Sequence, residues 1–353
     1  MTLRFEHETY GQRVRFASGA AAEATAEEIA RLGAGRVMVI AAGAVAELAA
    51  RVTADVPVAH VHDEVVMHVP VEVAERARAA ATAHKVDAIV SIGGGSATGL
   101  AKAVALTSGL PILAVPTTYA GSEATNVWGL TEGAQKTTGV HPRVLPTAIV
   151  YDASLMLSLP LEMSVASGLN AMAHCVDSMW APRTDPIDAA LAEEGIRALA
   201  TGLPLVAANP QGLAGREQTL YGAYLAAVAF TSAGSGLHHK ICHVLGGRYD
   251  LPHAPTHAVV LPYVLALNGP AAPEAAHRIA RAFGSTTALE GLQALHERLA
   301  APRALREYGF EESKIPDAVQ AILPVVPASN PVAVTVDDLS GLLRDAWSGA
   351  DPR

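Results

Sequence analysis

The sequence predicts an α/β domain over residues 1–156 followed by an all-α domain over residues 157–353. Short apolar runs alternate with helical patterns up to residue 152, which is typical of a doubly wound parallel sheet. Strand signals then end near Leu155, and Ala/Leu-rich helical patterns separated by Pro, Gly and Asn fill the rest of the chain. At 353 residues the chain is long enough for two domains with separate cores.

The first half of the chain predicts its elements in a regular order. Continuous apolar runs at 36–40 and 87–92 predict strands that are buried on both faces of a sheet. Residues 3–20 predict a strand pair, at 3–5 and 13–16. Further strands are expected at 56–61, 111–115 and 148–152, with helices at 22–32, 43–53, 71–84 and from the loop at 93–96 to about residue 108. The glycine- and hydroxyl-rich residues 117–146 are expected to be loops.

The second half predicts helices throughout. They are expected at 164–180, 185–201, 215–234, 236–246, 270–284, 286–300, 302–308, 313–322 and 336–348. The Gly246-Gly247 pair predicts that the helix ends before Pro252 and His253.

The composition is that of a globular enzyme-sized protein. Half of the residues are hydrophobic, only 17% are charged, and the net charge of −9 comes without a basic run. Nucleic acid and anionic membrane surfaces are therefore not expected as partners, whereas a small anionic substrate is compatible with local positive charge. Two cysteines within helical patterns, the lack of an apolar signal core, and the lack of a run approaching ~18–20 apolar residues predict a cytoplasmic protein.

A glycine-rich loop, Gly93-Gly94-Gly95-Ser96, follows a predicted strand and opens a predicted helix. Glycines let backbone N–H groups approach a phosphate, and a helix N-terminus adds partial positive charge. The alternative is that Ser96 only caps the helix. The loop after the next strand carries Thr117, Thr118 and Ser122, and it is either a ligand-binding loop at the carboxyl ends of parallel strands or a surface turn.

Histidines are concentrated in residues 236–262, with one more upstream at His174. His239 and His243 share a face if they lie on a helix. His174, His239 and His253 could bind a metal ion, but Asn170, one turn before His174, is neutral and Lys240 would repel a dication. The same residues suit an anionic substrate and a proton donor instead. A third interpretation is a set of core histidines; His238 and His257 are expected to be structural.

Four motifs carry a family resemblance. GGGSATGLAK at 93–102, PTTYAGSE at 116–123, SGLNAMAHCVDS at 167–178 and the histidine-rich residues 236–262 resemble, in order and spacing, the iron-containing alcohol dehydrogenase superfamily. The resemblance covers nearly the whole chain. It implies the dehydroquinate synthase-like fold, with a dinucleotide-binding α/β domain and a helical domain.

Departures from the metal-dependent members narrow the resemblance. Their metal ligands, an Asp and three His, fall on Asn170, His174, His239 and His253, and their GGGSxxDxAK motif has Asp at Gly99. With the PTTYAGSE loop and the stretch 67–70, these changes resemble the maleylacetate reductase branch. That branch reduces the carbon–carbon double bond of maleylacetate to 3-oxoadipate in aromatic degradation, with NADH or NADPH and generally without metal.

The resemblance and the chemistry together assign expected roles. His243 or His253 is expected to be the proton donor, and His174 and His239 are expected to shape the anion pocket. The expected substrate contacts are Tyr119, Asn170, Lys240 and Arg248. The expected cofactor contacts are Gly93, Gly94, Gly95, Ser96, Thr117, Thr118, Ser122 and Ala42. A homodimer is expected because the helical domain is rich in apolar residues.

Three other functions fit parts of the sequence. The first is a metal-dependent alcohol or polyol dehydrogenase of the same superfamily that tolerates Asn170. The second is a sugar-phosphate lyase related to dehydroquinate synthase, which needs a metal and a basic cluster for phosphate that this chain lacks. The third is a nucleotide-binding protein without catalysis, which would not need concentrated histidines.

The end of the first buried strand predicts that NADH and NADPH both serve as cofactor. NAD-specific relatives have an Asp here that binds the adenosine ribose, whereas this chain has Ala42. Without a carboxylate, the 2′-phosphate of NADPH is not repelled. The check is the initial rate with NADPH compared with that with NADH at the same concentration. An NADPH rate below ~1% of the NADH rate, a gap of ~2.7 kcal/mol, would contradict the prediction.

Overall fold

The chain folds into two compact units. The computed structural model describes residues 4–133 and 135–352. One unit is formed by residues 10–159 and the other by residues 4–9 together with 160–352. The boundary predicted after residue 156 falls inside a 3-10 turn at Ala153–Ser158. None of the helices in the described ranges combines the length and the apolar character that a membrane span needs.

The unit of residues 10–159 is an α/β unit. Its strands are β1 (Arg13–Phe16), β2 (Val37–Ile40), β3 (Val58–His62), β4 (Ala88–Gly93), β5 (Ile112–Pro116), β6 (Val127–Glu132), β7 (Gln135–Val140) and β8 (Ala148–Tyr151). Its helices are α1 (Ala21–Leu32), α2 (Ala46–Val52), α3 (Val71–Ala83) and α4 (Gly95–Ser108). As predicted, strands and helices alternate from β1 to β5.

A parallel sheet with the order β1-β8-β5-β4-β2-β3 forms the centre of this unit. Alternate residues of β2 pack on opposite sides, because Val37 and Val39 join the core with α1 and α2, whereas Met38 and Ile40 join the core with α3 and α4. All four residues of β2 are buried. Burial on both faces explains why the strand reads as an uninterrupted apolar run.

Two sequence-based expectations for this unit are wrong. Residues 4 and 5 do not form a strand with 13–16, since β1 pairs in parallel with β8 and residues 4–9 group with the other unit; residue 3 lies outside the described residues. The segment 127–140, expected to be loop, forms an antiparallel hairpin of β6 and β7. Residues 127–132 and 137–140 of these strands are partly or fully exposed, so they lack the apolar pattern that marks the central strands.

The other unit is helical as predicted. Its helices are α5 (Leu161–Ser178), α6 (Pro186–Ala208), α7 (Leu213–Ala233), α8 (Leu237–Tyr249), α9 (His253–Asn268), α10 (Pro273–Phe283), α11 (Ala288–Arg298), α12 (Ile315–Ile322) and α13 (Val336–Ser348). The segment 302–308 was expected to be an α-helix, but the structure has only a 3-10 turn at Leu305–Tyr308.

Two expectations about the histidine-rich segment are wrong. Helix α8 continues through Gly246-Gly247 to Tyr249, and α9 begins at His253 where no helix was predicted. Tertiary packing offsets the low helix propensity of the glycine pair, since the apolar face of α8 lies in one core with α9, α12 and α13. Helix α9 has apolar residues on all sides and no periodicity, because it is buried from Thr256 to Leu265.

A buried lysine holds the loop between β5 and β6. Lys102 of α4 is fully buried, and its Nζ donates to the carbonyl oxygens of Ser122 at 2.6 Å, Thr125 at 2.8 Å and Val127 at 2.9 Å. Burial lowers the pKa of Lys102 to about 7, and the nearby Glu123 opposes this shift. The loop that carries Thr117 and Thr118 is thus followed by a segment fixed to α4.

The lowered pKa of Lys102 predicts that stability rises above pH 7. The unfolded lysine keeps its ordinary pKa of 10.5, so between pH 7 and that value the unfolded chain binds more protons than the folded chain, and raising the pH favours folding. We expect the free energy of unfolding to rise by on the order of 1–2 kcal/mol from pH 7 to pH 9. Urea unfolding of the wild type and of Lys102→Met measures this, and the variant should lack the rise.

The matched control is Lys85→Met, which removes an exposed lysine of the same unit and should keep the pH dependence. An equal rise in the wild type and in Lys102→Met would mean that other groups cause it.

Candidate active site

The glycine-rich loop joins β4 to α4 and has little room for side chains. Gly93 has a φ of 143°, and a Cβ on Gly94 would lie 3.0 Å from Thr118 Cγ2. The Thr117 N–H donates to the Gly93 carbonyl at 3.0 Å, which ties the two loops together. The N-cap residue of α4 is Gly94, and Ser96 lies within the first turn of the helix. The alternative that Ser96 is the N-cap is therefore wrong.

This loop has the features of an anion site. Among the described side chains none caps the start of α4, and the N–H groups of its first turn have no partner within the helix. Because the strands are parallel, Ala42 after β2, Gly95 after β4 and Thr117 after β5 lie at the same edge of the sheet. Ser122 lies further along the loop, where its carbonyl is bound by Lys102. The edge therefore offers backbone donors to a phosphate.

The helical unit brings the histidines of α5, α8 and α9 together. The rings of His174 and His239 stack, with centroids 4.8 Å apart and an angle of 15° between their planes. The His239 ring also lies 6.0 Å from His243 and 4.9 Å from His257, and His257 lies 4.3 Å from His253. His243 and His253 are exposed, whereas His174, His239 and His257 are buried. The predicted grouping of upstream and downstream histidines thus forms within one unit.

Asp177 binds the backbone at the start of α8 and contacts one of these rings. Its carboxylate accepts from the backbone N–H groups of Gly236 at 2.8 Å and His238 at 3.3 Å, and it lies 2.8 Å from His239 Nδ1. Asp177 is fully buried, one turn after His174 on α5. Burial raises the pKa of this carboxyl, and the neighbouring His238 and the amide donors oppose the shift.

The Asp177 contact determines which nitrogen of His239 is available. A carboxylate that accepts backbone N–H bonds also accepts the Nδ1–H of His239, so the neutral ring keeps its lone pair on Nε2. Nε2 is buried and has no hydrogen-bond partner among the described atoms. Sequence reasoning did not identify Asp177 or Phe230, whose ring lies 4.4 Å from His239. Only the spacing of Asp177 from His174 hinted at its position.

Burial makes the inner imidazoles neutral. It lowers the pKa of His174, His239, His238 and His257 well below the usual value near 6.5, and the neighbouring histidines add to this effect. His238 Nε2 and His257 Nδ1 are 3.0 Å apart and share a hydrogen bond. Their burial agrees with the expectation that these two histidines are structural.

Asn170 and Lys240 lie beside the imidazoles in sequence and differ in exposure. Asn170 precedes His174 by one turn of α5, is 2% exposed, and its Oδ1 has no partner in the described structure. Lys240 follows His239 on α8 and is partly exposed. An amide and an ammonium can both donate hydrogen bonds to a carboxylate.

The structure contradicts the expected substrate contact of Arg248, whereas that of Tyr119 stays a prediction. Tyr119 is buried, as Asn170 is. Arg248 binds Asp317 of α12 through two hydrogen bonds of 2.7 Å. Because α8 continues past its glycines, Arg248 lies nine residues after His239, about half a turn around the helix and thus on the opposite face.

The positions that hold metal in the superfamily lie on α5, α8 and α9. The rings of His174 and His239 are stacked. Among the described residues, two groups of three His, Cys, Asp or Glu have ligand atoms within 4.8 Å of one another. One is His238, Cys242 and His257, and the other is His7, Asp185 and Asp188; His174, His239 and His253 do not form such a group. Asn170 adds no negative charge to offset a dication.

Comparison with known proteins gives the same family over both units. Residues 11–153 match the family described as iron-containing alcohol dehydrogenase, and residues 164–347 match its C-terminal part. The chain is 46% identical over 345 residues to maleylacetate reductase 2 of Cupriavidus pinatubonensis, with 96% of each chain covered.

Solved structures agree with these sequence matches. An iron-containing alcohol dehydrogenase from Corynebacterium glutamicum is 59% identical, with a TM-score of 0.99 over 100% of this chain and 99% of that one. Maleylacetate reductase from Agrobacterium tumefaciens is 39% identical, with a TM-score of 0.95 over 99% of this chain and 100% of that one. The resemblance that the sequence motifs suggested is confirmed.

The contacts of Asp177 predict that Asp177→Asn impairs both stability and turnover. An amide keeps one acceptor oxygen but turns an NH₂ group toward backbone N–H donors, and it no longer fixes the His239 ring. We expect the free energy of unfolding to fall by about 2–4 kcal/mol and kcat to fall at least about 10-fold. Urea unfolding and steady-state kinetics measure the two effects.

The control is Glu162→Gln, which changes an exposed carboxylate on the same helix and should alter stability by less than about 1 kcal/mol. If Asp177→Asn lost stability but kept the wild-type kcat and pH profile, Asp177 would have no role in positioning His239 for the reaction.

Proposed function

The chain belongs to the iron-containing alcohol dehydrogenase family, and we propose that it reduces the carbon–carbon double bond of maleylacetate to 3-oxoadipate with NADH or NADPH. Curated maleylacetate reductases are 40–46% identical over most of the chain, which confirms the sequence-based expectation of an oxidoreductase acting on a CH–CH group. The observation that carries the proposal is the group of histidines with Asn170 and Lys240, where a metal-binding member of the family has an acidic ligand.

The charge of this group suits the substrate. Maleylacetate has two carboxylates and a ketone conjugated to the double bond. Lys240 and the amide N–H of Asn170 donate to carboxylate or ketone oxygen. His239 has its Nδ1–H directed to Asp177, so it is an acceptor at Nε2 and does not itself donate to the anion there. The expected part of His239 in the anion pocket is therefore to shape its wall.

The exposed histidines supply the proton. A bound nicotinamide supplies hydride from C4 to the carbon β to the ketone. The oxygen that becomes an enolate needs a donor, and the α-carbon then needs a proton. We propose His243 or His253 for this step because both are exposed at the edge of the neutral, buried rings. His253 also lies in the first turn of α9, where the helix favours negative charge nearby.

The cofactor edge of the α/β unit supports a dinucleotide. We propose that the N–H groups at the start of α4 bind the pyrophosphate and that Gly93, Gly94 and Gly95 permit its close approach. Thr117 and Thr118 lie beside the loop, as the contact of Thr118 with Gly94 indicates. Ala42 and Ser122 are proposed as further contacts. The absence of a side-chain carboxylate at Ala42 supports the use of both cofactors.

Partners and compartment remain proposals. We propose a small dicarboxylate as the ligand, a homodimer as the assembly, and the cytoplasm as the compartment, with neither nucleic acid nor membrane as a partner. The net charge of −9 supports the last point, and two buried free cysteines are compatible with a reducing compartment.

Metal independence is also proposed, although the family takes its name from iron. Its support is the neutral Asn170 and the neighbouring Lys240, which repels a dication. The competing function is a metal-dependent alcohol or polyol dehydrogenase, since His239 Nε2 and Asn170 Oδ1 are buried acceptors without a partner among the described atoms.

We predict rapid NADH oxidation with enzymatically generated maleylacetate, unchanged after exhaustive chelation, because the reaction uses side-chain donors. The rate is followed by NADH absorbance with and without chelator, and a simple alcohol with NAD⁺ is the matched control substrate. Turnover that disappears on chelation and returns with Zn²⁺ or Fe²⁺ would show that Asn170 is tolerated as a ligand. Activity on alcohols without activity on maleylacetate would reject the proposed reaction.

A further inference from the structure

A second group of titratable side chains joins residues 4–9 to the helical unit. His7 Nδ1 lies 2.7 Å from Asp185 Oδ2 and 3.9 Å from Asp188 Oδ1. The Ser232 hydroxyl of α7 lies 3.3 Å from the same nitrogen. One ligand atom from each of His7, Asp185 and Asp188 lies within 4.8 Å of the others. These three residues are here called the His7 cluster.

The two carboxylates of the His7 cluster have different partners. Asp185 caps α6, because its Oδ1 accepts the N–H groups of Ile187 at 2.7 Å and Asp188 at 2.9 Å. Its Oδ2 is left to face His7. Asp188 has no exposed side-chain surface, and neither of its oxygens has a hydrogen bond of ordinary geometry with the described residues. The Ser232 hydroxyl opposes the rise in the pKa of Asp188.

This arrangement is unfavourable without a further positive charge. A fully buried carboxylate that lacks donors loses its hydration without compensation, and a second carboxylate close by repels it. Burial and Asp185 together raise the pKa of Asp188 to about 6. His7 opposes this shift of the Asp188 pKa, and its Nδ1 is directed at Asp185.

We propose that the His7 cluster is a binding site for a divalent transition-metal ion, with Zn²⁺ as the ion of choice. Two carboxylates cancel the charge of a dication, and an imidazole with carboxylates is a ligand set of Zn²⁺ sites. In a tetrahedral site, ligand atoms at about 2.0–2.2 Å from one ion are separated by roughly 3.3–3.6 Å. The observed 2.7 Å and 3.9 Å lie on either side of that range.

The site would connect three parts of the helical unit. His7 belongs to residues 4–9, Asp185 and Asp188 to the start of α6, and Ser232, a candidate fourth ligand, to the last turn of α7. Four residues after Ser232 the chain reaches Gly236, whose N–H donates to Asp177 at the start of α8. An ion here would stabilise the fold and take no part in the reduction.

The test uses the full chain, freed of metal by chelation and then given Zn²⁺ alone. We expect about one equivalent of Zn²⁺ to remain after gel filtration, by elemental analysis, and the melting temperature to rise on the order of 5 °C at saturation. Asp188→Asn and His7→Gln should each lose the bound Zn²⁺ and the shift. Without Zn²⁺, Asp188→Asn should melt no lower than the wild type, because an amide removes the buried charge.

Two controls locate the ion. His277→Gln changes an exposed histidine of α10, and His174→Gln changes the candidate active site; both should keep the equivalent of Zn²⁺ and the shift. No bound Zn²⁺, or equal binding in the wild type and Asp188→Asn, would overturn the proposal. So would loss of binding in His174→Gln alone, which would place the ion among the active-site histidines.

Discussion

In the helical unit, the buried carboxylate of Asp177 accepts hydrogen bonds from the first backbone N–H groups of α8 and from the ring of His239. The N–H groups of a helix start need partners, and here an ionisable side chain of another helix provides them. The contact also requires glycine at position 236, since a Cβ there would lie 2.4 Å from Asp177 Oδ1. The orientation of the α8 histidines depends on this contact.

The chemistry of the histidines depends on whether their rings are buried or exposed. Inner rings that are buried together cannot all carry charge, so burial and mutual repulsion keep them neutral. Outer rings at His243 and His253 are exposed. Exposed histidines beside neutral, buried rings are suited to delivering one proton to a bound substrate.

In the α/β unit, too, a buried ionisable side chain binds backbone groups. Lys102 is a charge buried among carbonyl oxygens, and it fixes the segment after Thr117 and Thr118 to α4. Gly99, where metal-dependent relatives have Asp, lies on the same helix, and a Cβ there would approach Val69 Cγ2 to 3.0 Å. The small residue thus allows Val69 to pack on α4, so the departure from the family motif has a packing reason in this chain.

The sequence by itself determined the two-part architecture, the central strands and the glycine loop, because uninterrupted apolar runs and glycine breaks are local signals. Four motifs in the sequence, taken in order, also indicated which residues form the candidate site. Tertiary structure alone decided that α8 passes through Gly246-Gly247, which turns Arg248 away from His239, and that the uniformly apolar segment after His253 is a helix. Packing of the apolar face of α8 and burial of α9, not local periodicity, stabilise these two helices. Asp177 and the His7 cluster depend on contacts between residues far apart in the chain, and no local pattern reports such contacts.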